Sequence, residues 1–117
     1  MEFRFSEKFV QELKEIKTHI EEKLFSKQSA QELASKIMND LQFLKTAPEL
    51  GINFDERIGR QLTKKHTLRM YIIDKKHLIF YVALPKQIYV LHIVNTKTDY
   101  LNRLNYISKI ISWSNGK

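Results

Sequence analysis

The chain has 117 residues, 43% of them hydrophobic and 28% charged, with 20 Lys/Arg against 13 Asp/Glu and a formal net charge of +7. That length fits one domain over residues 1–117, and that hydrophobic content excludes wholesale disorder. With no cysteine, disulfides, thiolate zinc sites and thiol nucleophiles are excluded, and the longest apolar run, Leu78–Leu84, is too short to span a bilayer.

The N-terminus MEFRFSEKF carries charges every few residues and no apolar stretch, so it does not read as a signal peptide. The expected location is the cytoplasm, with no membrane contact. Phe3 and Phe5 alternate with Glu2 and Arg4, a short strand signal. Ser6 is placed to cap a helix whose apolar stripe is Phe9, Leu13, Ile16, Ile20 and Leu24. Lys8, Glu12, Glu15, Glu22 and Lys23 fall on its solvent face. A second helix is expected from a capping box at Ser29-Ala30-Gln31-Glu32, with Leu33, Ile37, Leu41 and Leu44 as its stripe and Pro48 and Gly51 as its stop. The short link around Ser26–Gln28 turns the two into an antiparallel helix hairpin.

Residues 49–66 read as a long polar loop with room for a short helical turn. The period then changes from 3.6 to 2. Leu68–Ile73, His77–Leu84 and Gln87–Val94 are rich in Ile, Val, Tyr and Phe and are separated at hairpin spacing, which predicts an antiparallel meander. Leu78, Phe80 and Val82 share one face of the middle strand, and Ile79, Tyr81 and Ala83 share the other. Both sets are apolar, so this strand is central. His92 alternates with Leu91 and Ile93 and is expected to face away from both. Thr98 and Asp99 can cap a last helix with the stripe Leu101, Leu104, Ile107 and Ile111. The fold class is therefore α+β: an N-terminal strand, a helix hairpin packed on a three- to four-stranded antiparallel sheet, and a C-terminal helix.

Charge is divided along the chain. Residues 1–56 hold eight Lys/Arg and eleven Asp/Glu, whereas residues 57–117 hold twelve Lys/Arg against Asp74 and Asp99 alone. Arg57, Arg60, Lys64, Lys65, Lys75 and Lys76 are the candidate nucleic-acid-binding cations, together with Arg69. The same positive surface would also receive an acidic protein segment, and charge alone does not separate the two. His19, His66, His77 and His92 show neither ligand spacing nor a partnering acid cluster, so no metal site is expected. Three glycines leave no phosphate-cradling loop, and no cofactor is implied.

The stretch LRMYIIDKKHLIFYVALPKQIYVLHIVNTKTDYL resembles the C-terminal half of the RelE/ParE superfamily of toxins from type II toxin–antitoxin modules. The parts that carry the likeness are Arg69, Ile79-Phe80-Tyr81, His92–Val94, Lys97 and Asp99-Tyr100. Phe9, the paired helices, and Leu41, Leu44 and Pro48 also fall where the family has them. The resemblance covers roughly residues 1–104. It leaves 105–117 as a possible helical extension with Ile107, Ile110, Ile111 and Trp113. It implies a growth inhibitor held inactive by a cognate antitoxin, acidic or amphipathic, with an acidic one expected. One branch of the family cuts mRNA in the ribosomal A site. The other inhibits DNA gyrase and is not a nuclease.

Metal-free RNA cleavage needs a base for the 2′-hydroxyl, a cation on the phosphate and an acid for the leaving oxygen. Arg69 and Lys97 match basic family positions and would hold the phosphate, with His92 or Tyr100 moving protons. Tyr71 is a further candidate on the same strands. One departure opposes this: the resemblance matches a phosphate-binding Arg on the middle strand of the nucleases to Leu78 here. The expectation is a toxin acting as a ribosome-dependent mRNA endonuclease. The alternatives are a gyrase-inhibiting toxin and a basic nucleic-acid-binding module without toxicity. For each candidate a plainer structural reading stands beside the functional one: a rim salt bridge for Arg69, a satisfied core residue for His92.

Overall fold

The structure is a computed structural model, and it describes residues 2–23, 25–59, 66–73 and 75–96. The chain opens with β1 (Glu2–Phe5), followed by α1 (Glu7–Lys23). Ser6 caps α1 as expected: its Oγ accepts from the Phe9 N–H at 2.9 Å. The second helix, α2 (Lys27–Thr46), starts earlier than the Ser29 box implies. Ser26 is its N-cap, in extended backbone with φ −136° and ψ 97°, and accepts from the Ser29 N–H at 3.0 Å. Glu32 does not reach back to a cap amide; its Oε1 accepts from Gln28 Nε2 at 3.0 Å. Either serine suits the sequence pattern, and the backbone at position 26 decides which one caps.

The segment expected as a loop contains two short elements. β2 (Ile52–Asn53) adds to the sheet, and α3 (Phe54–Ile58) supplies the helical turn. Asn53 caps α3 by accepting from the Glu56 N–H at 3.1 Å, and Gly59 closes it at φ 74°, a left-handed position suited to glycine. The meander follows as β3 (Leu68–Ile73), β4 (His77–Ala83) and β5 (Gln87–Asn95).

The sheet has five strands in the order β1-β5-β4-β3-β2. It is mixed, which corrects the expectation of a three- to four-stranded antiparallel sheet. β1 runs parallel to β5, from Glu2↔Gln87 to Phe5↔Val90, while the other pairs are antiparallel. The parallel pairing follows from connectivity. A parallel neighbour needs a long crossover, and the helix hairpin begins that excursion directly after β1. β2 is two residues long, so it leaves no periodic signal.

β4 is central and apolar on both faces, as predicted. On one face Ile79 and Tyr81 join Ile73, Ile88, Val90 and Ile93 against Phe9 of α1 and Ile37, Leu41 and Leu44 of α2. Fully burying each of these Ile and Leu side chains stabilises the fold by about 1.5–3 kcal/mol. On the other face Leu78, Phe80 and Val82 cluster with Phe54, Leu68, Met70, Tyr89, Leu91 and Val94. The alternation along β5 is not regular. Phe80 pairs with His92 and Tyr81 with Val90, so Leu91 is an extra, bulged residue. As a result Leu91 and Ile93 belong to opposite faces, where simple alternation put them together. The expected C-terminal helix and the 105–117 extension lie outside the described residues.

Candidate functional site

The candidate residues divide into two networks and a set of surface cations. The first network surrounds His92. β1 stops pairing with β5 at Phe5, and the Ser6 N–H makes the last bond, to the Val90 carbonyl at 3.0 Å. Beyond that point the edge of β5 needs other partners. The start of α1 supplies them. Ser6 Oγ donates to the Leu91 carbonyl at 2.6 Å, and the Ile93 N–H donates to Glu12 Oε1 at 3.2 Å. The same carboxylate oxygen meets His92 Nδ1. Glu12 is 3% exposed and His92 1% exposed. Glu12 was expected on the solvent face of α1 and is instead buried, because it completes the edge that β1 leaves open.

A carboxylate at Nδ1 is met by a ring N–H donor at that nitrogen. His92 Nε2 has no hydrogen-bond partner among the described residues. A general base must reach its substrate. His92 is 1% exposed in this structure. Through Glu12 it links β5 to α1.

The second network surrounds Arg69 and Tyr81, opposite each other on β3 and β4. Tyr81 is fully buried, and its hydroxyl donates to the Pro48 carbonyl at 2.8 Å and accepts from the Gly51 N–H at 2.9 Å. Arg69 Nη1 donates to the Gly51 carbonyl at 3.0 Å and more weakly to that of Glu49 at 3.5 Å. The two side chains thus hold the chain between α2 and β2. Burial pushes the Tyr81 phenol above its ordinary value of 10.0, against the smaller opposing effects of the Gly51 N–H and the Arg69 charge. Burial, and then the Asp40 carboxylate, raise Tyr71 as well. Gly51 has no room for a side chain: a Cβ there would lie 2.6 Å from the Tyr81 oxygen.

These networks do not converge. Arg69 pairs with Tyr81 of the helix-side face, whereas His92 pairs with Phe80 of the opposite cluster. Arg69 and His92 also stand two strands apart, about 10 Å at ordinary strand spacing. Leu78 is 5% exposed within the apolar cluster on the face opposite α1 and α2. Among the surface cations, Arg57 follows the start of α3, whose Asp55 accepts from the Leu68 N–H at the head of β3. Lys75 and Lys76 are exposed at the far end of the β3–β4 hairpin, with Lys75 at φ 61°. Arg60, Lys64, Lys65, Lys97 and Tyr100 lie outside the described residues.

Two concavities accompany these networks. A groove of about 770 Å³ runs between Ala47–Leu50 and Ala83–Pro85. A cleft of about 450 Å³ lies between α1 and the end of β5, with Glu12, His19, His77 and Lys76 among its walls. Among the described residues no group of His, Cys, Asp and Glu could hold a metal ion, and no helix is long and apolar enough to cross a membrane.

The sequence reading missed Glu12 and the clamp on Gly51. Glu12 carried a visible signal, since it stands three residues after Phe9 and four before Ile16, at the flank of the apolar stripe. The Tyr81 contact joins residues 30 apart and has no local signature.

The family model of the ParE toxin of type II toxin–antitoxin systems (parDE) matches residues 3–100. The chain belongs to this toxin family. No curated protein matches it. The protein is therefore the toxin of a type II module, and a cognate antitoxin is its partner. The match covers the described sheet and helix hairpin and stops short of 105–117.

Proposed function

We propose that this toxin inhibits DNA gyrase by binding it, and that it does not cut RNA. The observation that carries the reading is Leu78. In the nuclease branch that position supplies a phosphate-binding arginine; here it is an apolar side chain packed with Phe80 and Met70. Burying an unpaired cation there would be costly, so the cluster and a phosphate clamp exclude each other. Two further observations support it. Arg69 is engaged with backbone carbonyls, and His92 is sealed beside Glu12.

On this reading the described polar networks hold the scaffold in shape and the surface makes the contacts. The antitoxin is acidic, matching the cationic second half of the chain, and toxin and target meet in the cytoplasm. The test is a pair of assays on purified protein. Gyrase-catalysed supercoiling should stop at excess toxin, while cell-free translation continues with intact mRNA. Cut mRNA in a stalled translation reaction, with supercoiling unaffected, would reverse the reading in favour of the endonuclease.

A further inference from the structure

The tip of the α1–α2 hairpin carries an unusual residue. Phe25 is 89% exposed, the most exposed of the large hydrophobic side chains among the described residues. Its backbone is left-handed, with φ 51°. It follows the last turn of α1, where the chain reverses into the Ser26 cap and the Ser26 N–H reaches back to the Ile20 carbonyl at 3.5 Å. Glycine or asparagine ordinarily takes the left-handed position that ends a helix, because a side chain there crowds its own backbone. A bulky residue in that region is an outlier, and such outliers gather at functional sites. Phe25 helps neither the backbone nor the core, so folding alone does not account for the ring.

We infer that Phe25 is a contact residue, and that the hairpin tip inserts it into an apolar socket on the protein that the toxin inhibits. The inference rests on the toxin reading and adds to it the surface that meets the target. The charges around the ring argue for a protein partner. Lys23 and Lys27 flank it, and Glu21 and Glu22 cancel them within the same turn. A nucleic-acid site would present net positive charge at that point. The tip also stands far from the groove at the other end of the helix hairpin. The groove of Ala47, Pro48, Leu50, Ala83, Leu84 and Pro85 lies past the other end of α2. Twenty helical residues place it about 30 Å from the tip. A single projecting ring suits a socket in a larger partner. Buried aromatic anchors of this kind carry much of the energy of an interface.

The test compares full-length wild type with Phe25→Gly and Phe25→Trp. Phe25→Gly should need at least about tenfold more protein to inhibit supercoiling, the loss expected of an anchor residue. Phe25→Trp should stay close to wild type, and growth arrest on induced expression should follow the same order. Phe25→Gly should melt at or above the wild-type temperature, because glycine adopts left-handed backbone without strain. Lost activity then does not come from unfolding. Binding of the cognate antitoxin should be unchanged. If Phe25→Gly inhibits as well as wild type, or loses antitoxin binding in step with inhibition, the proposal is overturned. If wild type arrests growth but leaves supercoiling untouched, the gyrase reading falls, and growth arrest by Phe25→Gly still decides the role of the tip.

Discussion

Replacing Gly51 with alanine sets a methyl group 2.6 Å from the Tyr81 oxygen and 2.8 Å from its Cε1. Ordinary contact needs several tenths of an ångström more, so one side must give. Tyr81 cannot swing aside freely: it is fully buried, and its hydroxyl is held between the Pro48 carbonyl and the Gly51 N–H. The loop is held too, by Arg69 on the Gly51 carbonyl. Overpacking of this kind costs about 1–3 kcal/mol, and weakening the two hydroxyl bonds adds up to about 1 kcal/mol each. Gly51→Ala should therefore destabilise by about 2–4 kcal/mol, a large share of the roughly 5–15 kcal/mol of a typical domain. Tyr81→Phe should cost about 1–3 kcal/mol, because it leaves the Gly51 N–H and the Pro48 carbonyl without their partner. The double mutant separates this account from a general loss of packing. Removing the oxygen removes the shortest clash, so the two costs should fall short of adding by about 1 kcal/mol or more. Denaturant titration of the four proteins measures each value. Additivity to within about 0.5 kcal/mol, or a cost for Gly51→Ala below about 1 kcal/mol, would refute the reasoning.

Three other outcomes follow from the same networks. Glu12→Ala leaves His92 and the Ile93 N–H buried without their acceptor and should cost about 3–5 kcal/mol. Glu12→Gln keeps an oxygen for Ile93 and should cost less; a denaturation midpoint for Glu12→Ala matching wild type would show that the pair fastens nothing. Arg69→Ala should lose about 1–2 kcal/mol of stability while keeping its inhibitory activity per folded molecule, and loss of toxicity in a fully folded mutant would restore Arg69 as a site residue. The raised Tyr81 phenol means that the folded state holds its proton more tightly than the unfolded chain. Its contribution is therefore complete below pH 10 and declines as the pH rises further, so stability measured from pH 9 upward should fall less steeply in Tyr81→Phe than in wild type.

The sequence was most readable where a period ran long enough to be counted. The stripe Phe9, Leu13, Ile16 and the run Leu33, Ile37, Leu41, Leu44 point inward as expected. The two apolar faces of His77–Ala83 located the central strand correctly. Features set by distant contacts were not readable. The direction of β1 depends on where the helix hairpin returns the chain, and β2 is too short for alternation to show. The bulge at Leu91 adds one residue to β5, and nothing in the apolar run around it marks the place. Glu12 looked like a solvent residue because its partner is the edge of a strand some 80 positions away.

The cationic second half of the chain shows how proximity in sequence differs from proximity in space. Arg57 and Lys86 belong to the end of the sheet where β3 begins and β4 finishes; Lys75 and Lys76 turn the hairpin at the other end. The seven residues of β4 between them span about 20 Å. Physiological salt screens exposed charges over about 8 Å, so these described cations act as separate local fields and not as one. A nuclease site needs its groups within hydrogen-bond reach of a single phosphate and a single hydroxyl. A binding surface has no such requirement, since contacts spread over the face of a small domain can act together on a large partner. Among the described residues, separated cations, an arginine spent on backbone carbonyls and a histidine buried beside Glu12 are therefore compatible with the proposed inhibition by contact.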